Sequence, residues 1–387
     1  MRRLVVCMDG TGQSPRAKQE GKGPYKLPKP SNVLKIYRAV KPRHKRSHGR
    51  AVDQICFYDE GVGAEGNKLE KLLGGGLGVG FGKNVQDAYR FLVGNYVPGD
   101  KIFLFGYSRG AAQAMSLCRF IDWCGGLLCK SDAYYIPEFF DCYCRTRAGK
   151  DGVAKLRKGE GRGRRGSIEM DDPRPVEIEF LGLFDAVFAL FSDRGSKTRL
   201  SRRRRAKYNF HVPAIPPAIV KNARQALVID ERRKAFWPSI WSGPASRKQS
   251  LEQRWFAGVH GNVGGGYGDD GMANCALRWM TEEAENAGLG FCRKFLGRYR
   301  AWYGDRLYNS FRGITARAGS RKRVLGPPKP GNQVIDPTVF KLIMFTRGKE
   351  KPYRPGNLAN YLRKNPAAMA GLDKKTRKAV KELLNVG

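Results

Sequence analysis

The sequence predicts an α/β fold: a mostly parallel central sheet with helices on both faces, extended by loop insertions and a basic C-terminal appendage. Three observations predict it. Short apolar runs recur along the chain, most of them are continuous rather than alternating, and helical stretches fall between them. A strand buried on both faces reads as a continuous apolar run, and strand–helix alternation brings successive strands back in the same direction. At 387 residues and 41% hydrophobic content, the chain is long enough to bury a large core.

The elements follow in order. Residues 4–8 form the first strand; two arginines precede it, but the run is short and ends at Asp9, unlike a signal peptide. "SNVLKIYRAV" is the first helix, with Ser31 and Asn32 as capping residues. Residues 55–58 form a second strand. "NVQDAYRFLVGNY" puts Val85, Tyr89 and Leu92 on one helical stripe and stops near Pro98-Gly99. Further strands are expected at 102–105, 178–184, 226–229 and 255–259. Two charged, Gly- or Arg-rich segments, about 145–176 and 193–208, read as mobile basic insertions. The main domain is expected to span 1–310, with 311–387 packed on it as a basic extension that ends in the amphipathic "DKKTRKAVKELLNV".

Lysine and arginine total 72 against 35 acidic residues, a formal net charge of +37. A field of that sign attracts polyanions: nucleic acid, anionic lipid head groups or an acidic partner. Arg202, Arg203, Arg204 and Arg205 form its densest run, and a Gly-Arg tract lies at 161–166. No helix-turn-helix, zinc finger or RNA-binding aromatic motif accompanies them, so nucleic acid is the weaker expectation. The nine cysteines are odd in number and lack paired CxxC spacing, which speaks against a zinc site and for a reducing compartment of synthesis. No window approaches the ~20 uninterrupted apolar residues of a membrane span. The expected place of synthesis is therefore the cytoplasm.

Chemistry concentrates at "LFGYSRGAAQAMSL". Gly106-Tyr107-Ser108-Arg109-Gly110 matches G-x-S-x-G between a strand and a helix rich in small residues, the context of a nucleophile elbow. The glycines relieve crowding around a strained serine. The following helix aims its N-terminus at the site, where the Arg109 N–H faces a developing oxyanion. A serine needs a base. Of four histidines, His44 and His48 lie in a basic polar loop and His211 follows the arginine run. His260 closes an apolar strand, in a Gly-rich segment and last in the Ser…Asp…His order of α/β-hydrolases. Two aspartates end strands between Ser108 and His260. Topology favours Asp230, on the next-to-last expected strand; Asp185 sits one strand earlier in a more apolar setting. The one not used is expected to pair with Arg232 or Arg233. "VVCMDGTGQ" is near a dehalogenase-type phosphatase motif but has Cys7 where that chemistry needs its aspartate nucleophile. Its turn instead offers the N–H of Gly10 or Thr11 as the second oxyanion donor.

These blocks, in this order, resemble the α/β-hydrolase family that includes the catalytic domains of type VI secretion phospholipase effectors. "VVCMDGTGQ", "SNVLKIYRAV", "FYDEGVG", "AYRFLVGNYVPGDKIFLFGYSRGAAQA", "FLGLFDAV", "ALVIDERRKAF" and "WFAGVHGNVGGGYGDDGMANCALRWM" carry the resemblance over residues 3–280, with "YRPGNLANYL" in the tail. It implies an α/β-hydrolase fold, a Ser-Asp-His triad of Ser108, Asp185 and His260, hydrolysis of lipid esters without metal or cofactor, and export by a type VI system. It ranks Asp185 above Asp230, against the topological argument. The family pattern also implies threonine at Ala186, histidine at Gln225, aspartate at Asn262 and histidine at Asp336. None of these departures touches the three triad positions, although Asn262 is two residues from the base. The competing reading is a basic binding protein, for nucleic acid or an anionic surface, on an inactive hydrolase fold.

Overall fold

The structure is a computed structural model, which describes residues 1–10, 29–45, 51–61, 78–145, 151–159, 167–187, 213–244, 246–311, 319–326 and 332–386. Thr11, Arg202 to Arg205 and the Gly-Arg tract lie outside the described residues. Eight strands form one sheet: β1 (Arg3–Met8), β2 (Arg43–His44), β3 (Val52–Asp59), β4 (Lys101–Tyr107), β5 (Ile178–Phe184), β6 (Val220–Val228), β7 (Ser250–Phe256) and β8 (Gln333–Ile335). Their spatial order is β2-β3-β1-β4-β5-β6-β7-β8. Every pairing is parallel except that of the short edge strand β2 with β3.

The continuous apolar runs are explained by burial on both faces. Along β1, Leu4, Val6 and Met8 point to one side and Val5 and Cys7 to the other, and none is exposed. Helix α1 (Asn32–Ala39) covers the side of Val5 and Cys7 with Val33 and Ile36, beside Ala276 and Met280 of the helix Gly271–Asn286. The opposite side is covered by α2 (Gly78–Asn95), which presents Val85, Tyr89 and Leu92, and by α3 (Arg109–Cys124), which presents Met115 and Cys118. Ser31 caps α1, its Oγ accepting from the Leu34 N–H at 3.1 Å. Lys35 of α1 is fully buried, 2.9 Å from Asp270 and 2.8 Å from Asn274, so it ties α1 to the helix Gly271–Asn286.

Two further stretches are tied into this fold. Residues 167–176 lie at the C-terminal end of the expected basic insertion. Ile168 and Val176 are buried, and Arg174 donates to the carbonyls of Tyr96, Val93 and Leu128 at 2.6–3.0 Å, which anchors this stretch to the end of α2. The region beyond residue 310 is more than an appendage: β8 extends the sheet next to β7, and Leu227 and Trp255 of the sheet share a core with Val339, Phe340 and Leu358 from the tail. Among the described residues, no helix is long and apolar enough to cross a membrane.

Candidate active site

Ser108 stands where β4 turns into α3, with φ 56° and ψ −117°. That region is strained for any residue with a Cβ, by about 1–3 kcal/mol, and persists only where surroundings impose it. Here the Ser108 N–H donates to the Phe184 carbonyl at 3.0 Å. The flanking glycines allow the close approach. A Cβ on Gly106 would come within 2.6 Å of the Ala111 Cα, and one on Gly110 within 2.1 Å of the Met8 carbonyl oxygen. The end of β1 is thereby pressed against the elbow. Arg109 opens α3, so its N–H lies in the first turn of that helix, directly after Ser108.

Asp185 follows β5 directly, is fully buried, and has φ 43°. Among the described residues only three non-glycine residues have positive φ, and two of them are Ser108 and Asp185. The Asp185 Oδ2 lies 2.7 Å from His260 Nδ1. His260 begins a short helix, His260–Gly264, rather than ending a strand. Its imidazole is held between two rings: Tyr107, at 4.8 Å and 30°, and Phe236, edge-on at 4.9 Å and 75°. A Cβ on Gly264 would strike the Tyr107 ring at 1.8 Å, so this glycine is required for Tyr107 to lie there. Tyr107 is the neighbour of Ser108 in sequence, so the elbow and the histidine share one packing unit.

Asp230 lies elsewhere. Its Oδ2 accepts from the Gly258 N–H at 2.6 Å and the Tyr353 hydroxyl at 2.8 Å, which fastens the tail to the ends of β6 and β7. It pairs with neither Arg232 nor Arg233 as expected; Glu231 is the partner of Arg233, at 2.9 Å through two nitrogens. Burial disfavours the Glu231 charge, but the Arg233 fork outweighs it and brings the carboxyl down to about 2. Glu231 Oε2 in turn accepts from the His260 N–H at 3.3 Å, and Arg233 lies 3.5 Å over the Phe236 ring. Asn262 is turned away from the imidazole: its Oδ1 accepts from the Val259 N–H and its Nδ2 donates to the Arg306 carbonyl.

The β1 turn also departs from expectation. The Gly10 N–H donates to Asp9 Oδ1 at 2.7 Å, which leaves it occupied and not free for an oxyanion. Asp9 is fully buried and also accepts from the Ser31 and Tyr58 hydroxyls. Burial raises its pKa to about 6 despite these bonds. Cys7 sits inside the sheet, where burial pushes its thiol well up; it faces the core and not the site.

Sequence reading missed the residue that forks onto Asp185. Arg323, itself 1% exposed, reaches both Asp185 oxygens, Nη1 to Oδ1 and Nη2 to Oδ2, the latter at 2.9 Å. Burial alone would raise the Asp185 pKa; the Arg323 charge, with the His260 bond, holds it below the usual carboxylate value. Nothing in "SRKRVLG" distinguishes Arg323 from the basic residues around it.

The model of the type VI secretion phospholipase effector Tle1-like catalytic domain family matches residues 2–283. The chain belongs to that family. Ser108, Asp185 and His260 all fall inside the Tle1-like match; Arg323 falls beyond it. A curated relative, the uncharacterized protein YEL023C of Saccharomyces cerevisiae, is 26% identical over 246 residues, covering 60% of this chain and 32% of that protein. The chain thus spans about a third of the length of that relative. Among solved structures, an uncharacterized protein from Pseudomonas aeruginosa aligns at TM-score 0.42 and 16% identity, over 99% of this chain and 62% of that one. The Tle1 effector bound to the VgrG spike of the type 6 secretion system aligns at TM-score 0.38 and 19% identity, over 70% of this chain and 52% of that one. The Est2 esterase of Thermogutta terrifontis, with propionate bound, aligns at TM-score 0.34 and 15% identity, over 74% of this chain and 84% of that one.

Proposed function

We propose that the chain is a serine hydrolase that cleaves carboxylic esters of lipids, phospholipid among them, through Ser108, His260 and Asp185. The single observation that carries this is the 2.7 Å contact between His260 and Asp185, packed through Tyr107 against a strained serine at a G-x-S-x-G turn. Asp185 accepts a hydrogen bond from the Nδ1–H, which leaves Nε2 as the basic nitrogen. His260 takes the Ser108 proton as Oγ attacks the ester carbonyl. The carbonyl electrons move onto oxygen, where the N–H of Arg109, and of Thr11 as the sequence suggests, stabilise the charge. Collapse expels the alcohol, protonated by the imidazolium, and leaves an acyl-Ser108. Water, deprotonated by His260, then releases the carboxylic acid and restores the serine. No metal or cofactor enters these steps.

A cleft of about 340 Å³, whose wall includes Ile229, Asp230, Arg232, Val259, Tyr308 and Lys322, opens at the ends of β6 and β7; neither Ser108 nor His260 lines it. The net charge of +37 favours an anionic head group or surface over a neutral one. The test is labelling with a fluorophosphonate probe. Wild type should label and hydrolyse phospholipid vesicles, and Ser108→Ala should do neither. Equal labelling of the two proteins would remove Ser108 as the nucleophile. Tight nucleic-acid binding with no hydrolysis would put a binding protein on an inactive hydrolase fold in its place.

A further inference from the structure

We infer that Arg323 is a positioning residue for the proposed hydrolysis: by clamping Asp185, it makes the C-terminal part of the chain a structural component of the active site. The inference rests on the Ser108–Asp185–His260 reading given above.

Asp185 is wholly enclosed, and a buried carboxylate needs both charge compensation and partners for both oxygens. His260 supplies a bond to Oδ2. Among the described residues, the hydrogen bond to Oδ1 comes from Arg323. Without it, one carboxylate oxygen would be buried bare, and the group could rotate or bind a proton. A protonated or rotated Asp185 would no longer accept the hydrogen bond from Nδ1–H, and His260 would lose the tautomer that makes Nε2 a base. Arginine suits this task better than lysine because its fork is planar, bidentate and always charged.

The fork is itself held in place. Arg323 Nη2 also donates to the Phe236 carbonyl at 2.7 Å, so the same residue braces the ring lying against His260. The Arg323 carbonyl accepts from Asn357 Nδ2 at 3.1 Å, and that amide also donates to the Ile229 carbonyl at 2.9 Å, next to the end of β6. Before it, the Arg321 N–H donates to the Arg232 carbonyl at 2.8 Å, and its guanidinium stacks 3.6 Å over Trp237. Asn357 lies in "YRPGNLANYL", the tail phrase that no step of the proposed chemistry uses. Its placement explains it: the phrase fastens the segment that aims Arg323.

The test is a double-substitution cycle in the full chain. Arg323→Gln, Asp185→Asn and the pair are compared for kcat and KM on a soluble ester, for fluorophosphonate labelling rate, and for melting temperature. Arg323→Gln should lower kcat about 30-fold or more and leave KM within about threefold, because it acts through the acid and not on substrate. In the Asp185→Asn background the same change should alter kcat less than about threefold. Arg323→Lys should recover part of the loss, and added guanidinium should restore activity to Arg323→Ala. An unchanged kcat in Arg323→Gln, or an equal loss in both backgrounds, would overturn the inference while leaving the triad intact. Failure of wild type to label would sink the triad reading and this inference with it. Should Arg323→Gln melt too low for assay, Arg323→Lys decides: a loss of at least about threefold confined to the active background supports the clamp, and no loss overturns it.

Discussion

Ser108 and Asp185 both occupy left-handed backbone, and each is held there by a hydrogen bond across the sheet: Ser108 N–H to the Phe184 carbonyl, Asp185 N–H to the Ala226 carbonyl at 2.7 Å. The strain places two side chains at strand tips with little freedom to relax. Asp185→Asn should therefore lower kcat about 10³–10⁴-fold, as loss of the orienting carboxylate does in serine hydrolases generally. Asp230→Asn should stay within about threefold of wild type, since its bonds go to Gly258 and Tyr353. Parallel steady-state assays separate the two. Asp9 gives a pH prediction. Its folded pKa of about 6 lies above the ordinary 3.8, so its contribution is fully present below about pH 4 and is lost as pH rises through 6. Between about pH 4 and pH 7, the stability of Asp9→Asn should gain on that of wild type by on the order of 1–3 kcal/mol in urea unfolding. At this scale the sequence singles out Ser108 and His260 for the proposed chemistry because each sits in a glycine-flanked turn of recognisable form. Strand position alone favoured Asp230 and the family resemblance favoured Asp185; the contact with His260 belongs to Asp185, a neighbour in space that no local sequence signal gives. Arg323 had no local signal at all.

The elements were read most easily where both faces of a strand are covered. β1, β4 and β5 announce themselves as unbroken apolar runs because helices pack on each side. β2 and β8 were missed; at two and three residues they contain no run to see, and they exist only because a neighbouring strand offers hydrogen bonds. The junction of β1, β4 and α3 is closely packed near the site. Gly110→Ala would drive a methyl into the Met8 carbonyl, so it should destabilise by about 2 kcal/mol or more and lower labelling of Ser108. Gly94→Ala is the matched control: it lies in α2 with open space around the added carbon, and should be neutral or stabilise by up to about 1 kcal/mol. Chemical denaturation of both variants checks the pair.

For the whole molecule, the net charge of +37 acts through its field rather than through single contacts. Exposed charges are screened beyond ~8 Å at physiological ionic strength. Hydrolysis of anionic vesicles should fall steeply with added salt, whereas a small soluble ester should be hydrolysed at nearly constant rate. Replacing Arg202 to Arg205 with serine should likewise weaken vesicle hydrolysis and spare the soluble ester. Equal salt sensitivity on both substrates would place the charge effect at the catalytic centre or in folding.

The clamp on Asp185 also has a consequence in time. Ribosomes deliver the serine first, then the acid, then the base, and well after them the arginine that fixes the acid. At ordinary rates of synthesis, the about 60 residues between His260 and Arg323 take roughly 3–12 s. During that interval a nascent chain carries every reacting group yet lacks the part that aligns them. On the proposed chemistry, hydrolysis stays slow until translation has passed Arg323. Stalled chains of increasing length should accept the fluorophosphonate probe abruptly, once that residue has left the ribosome, and not gradually from His260 onward.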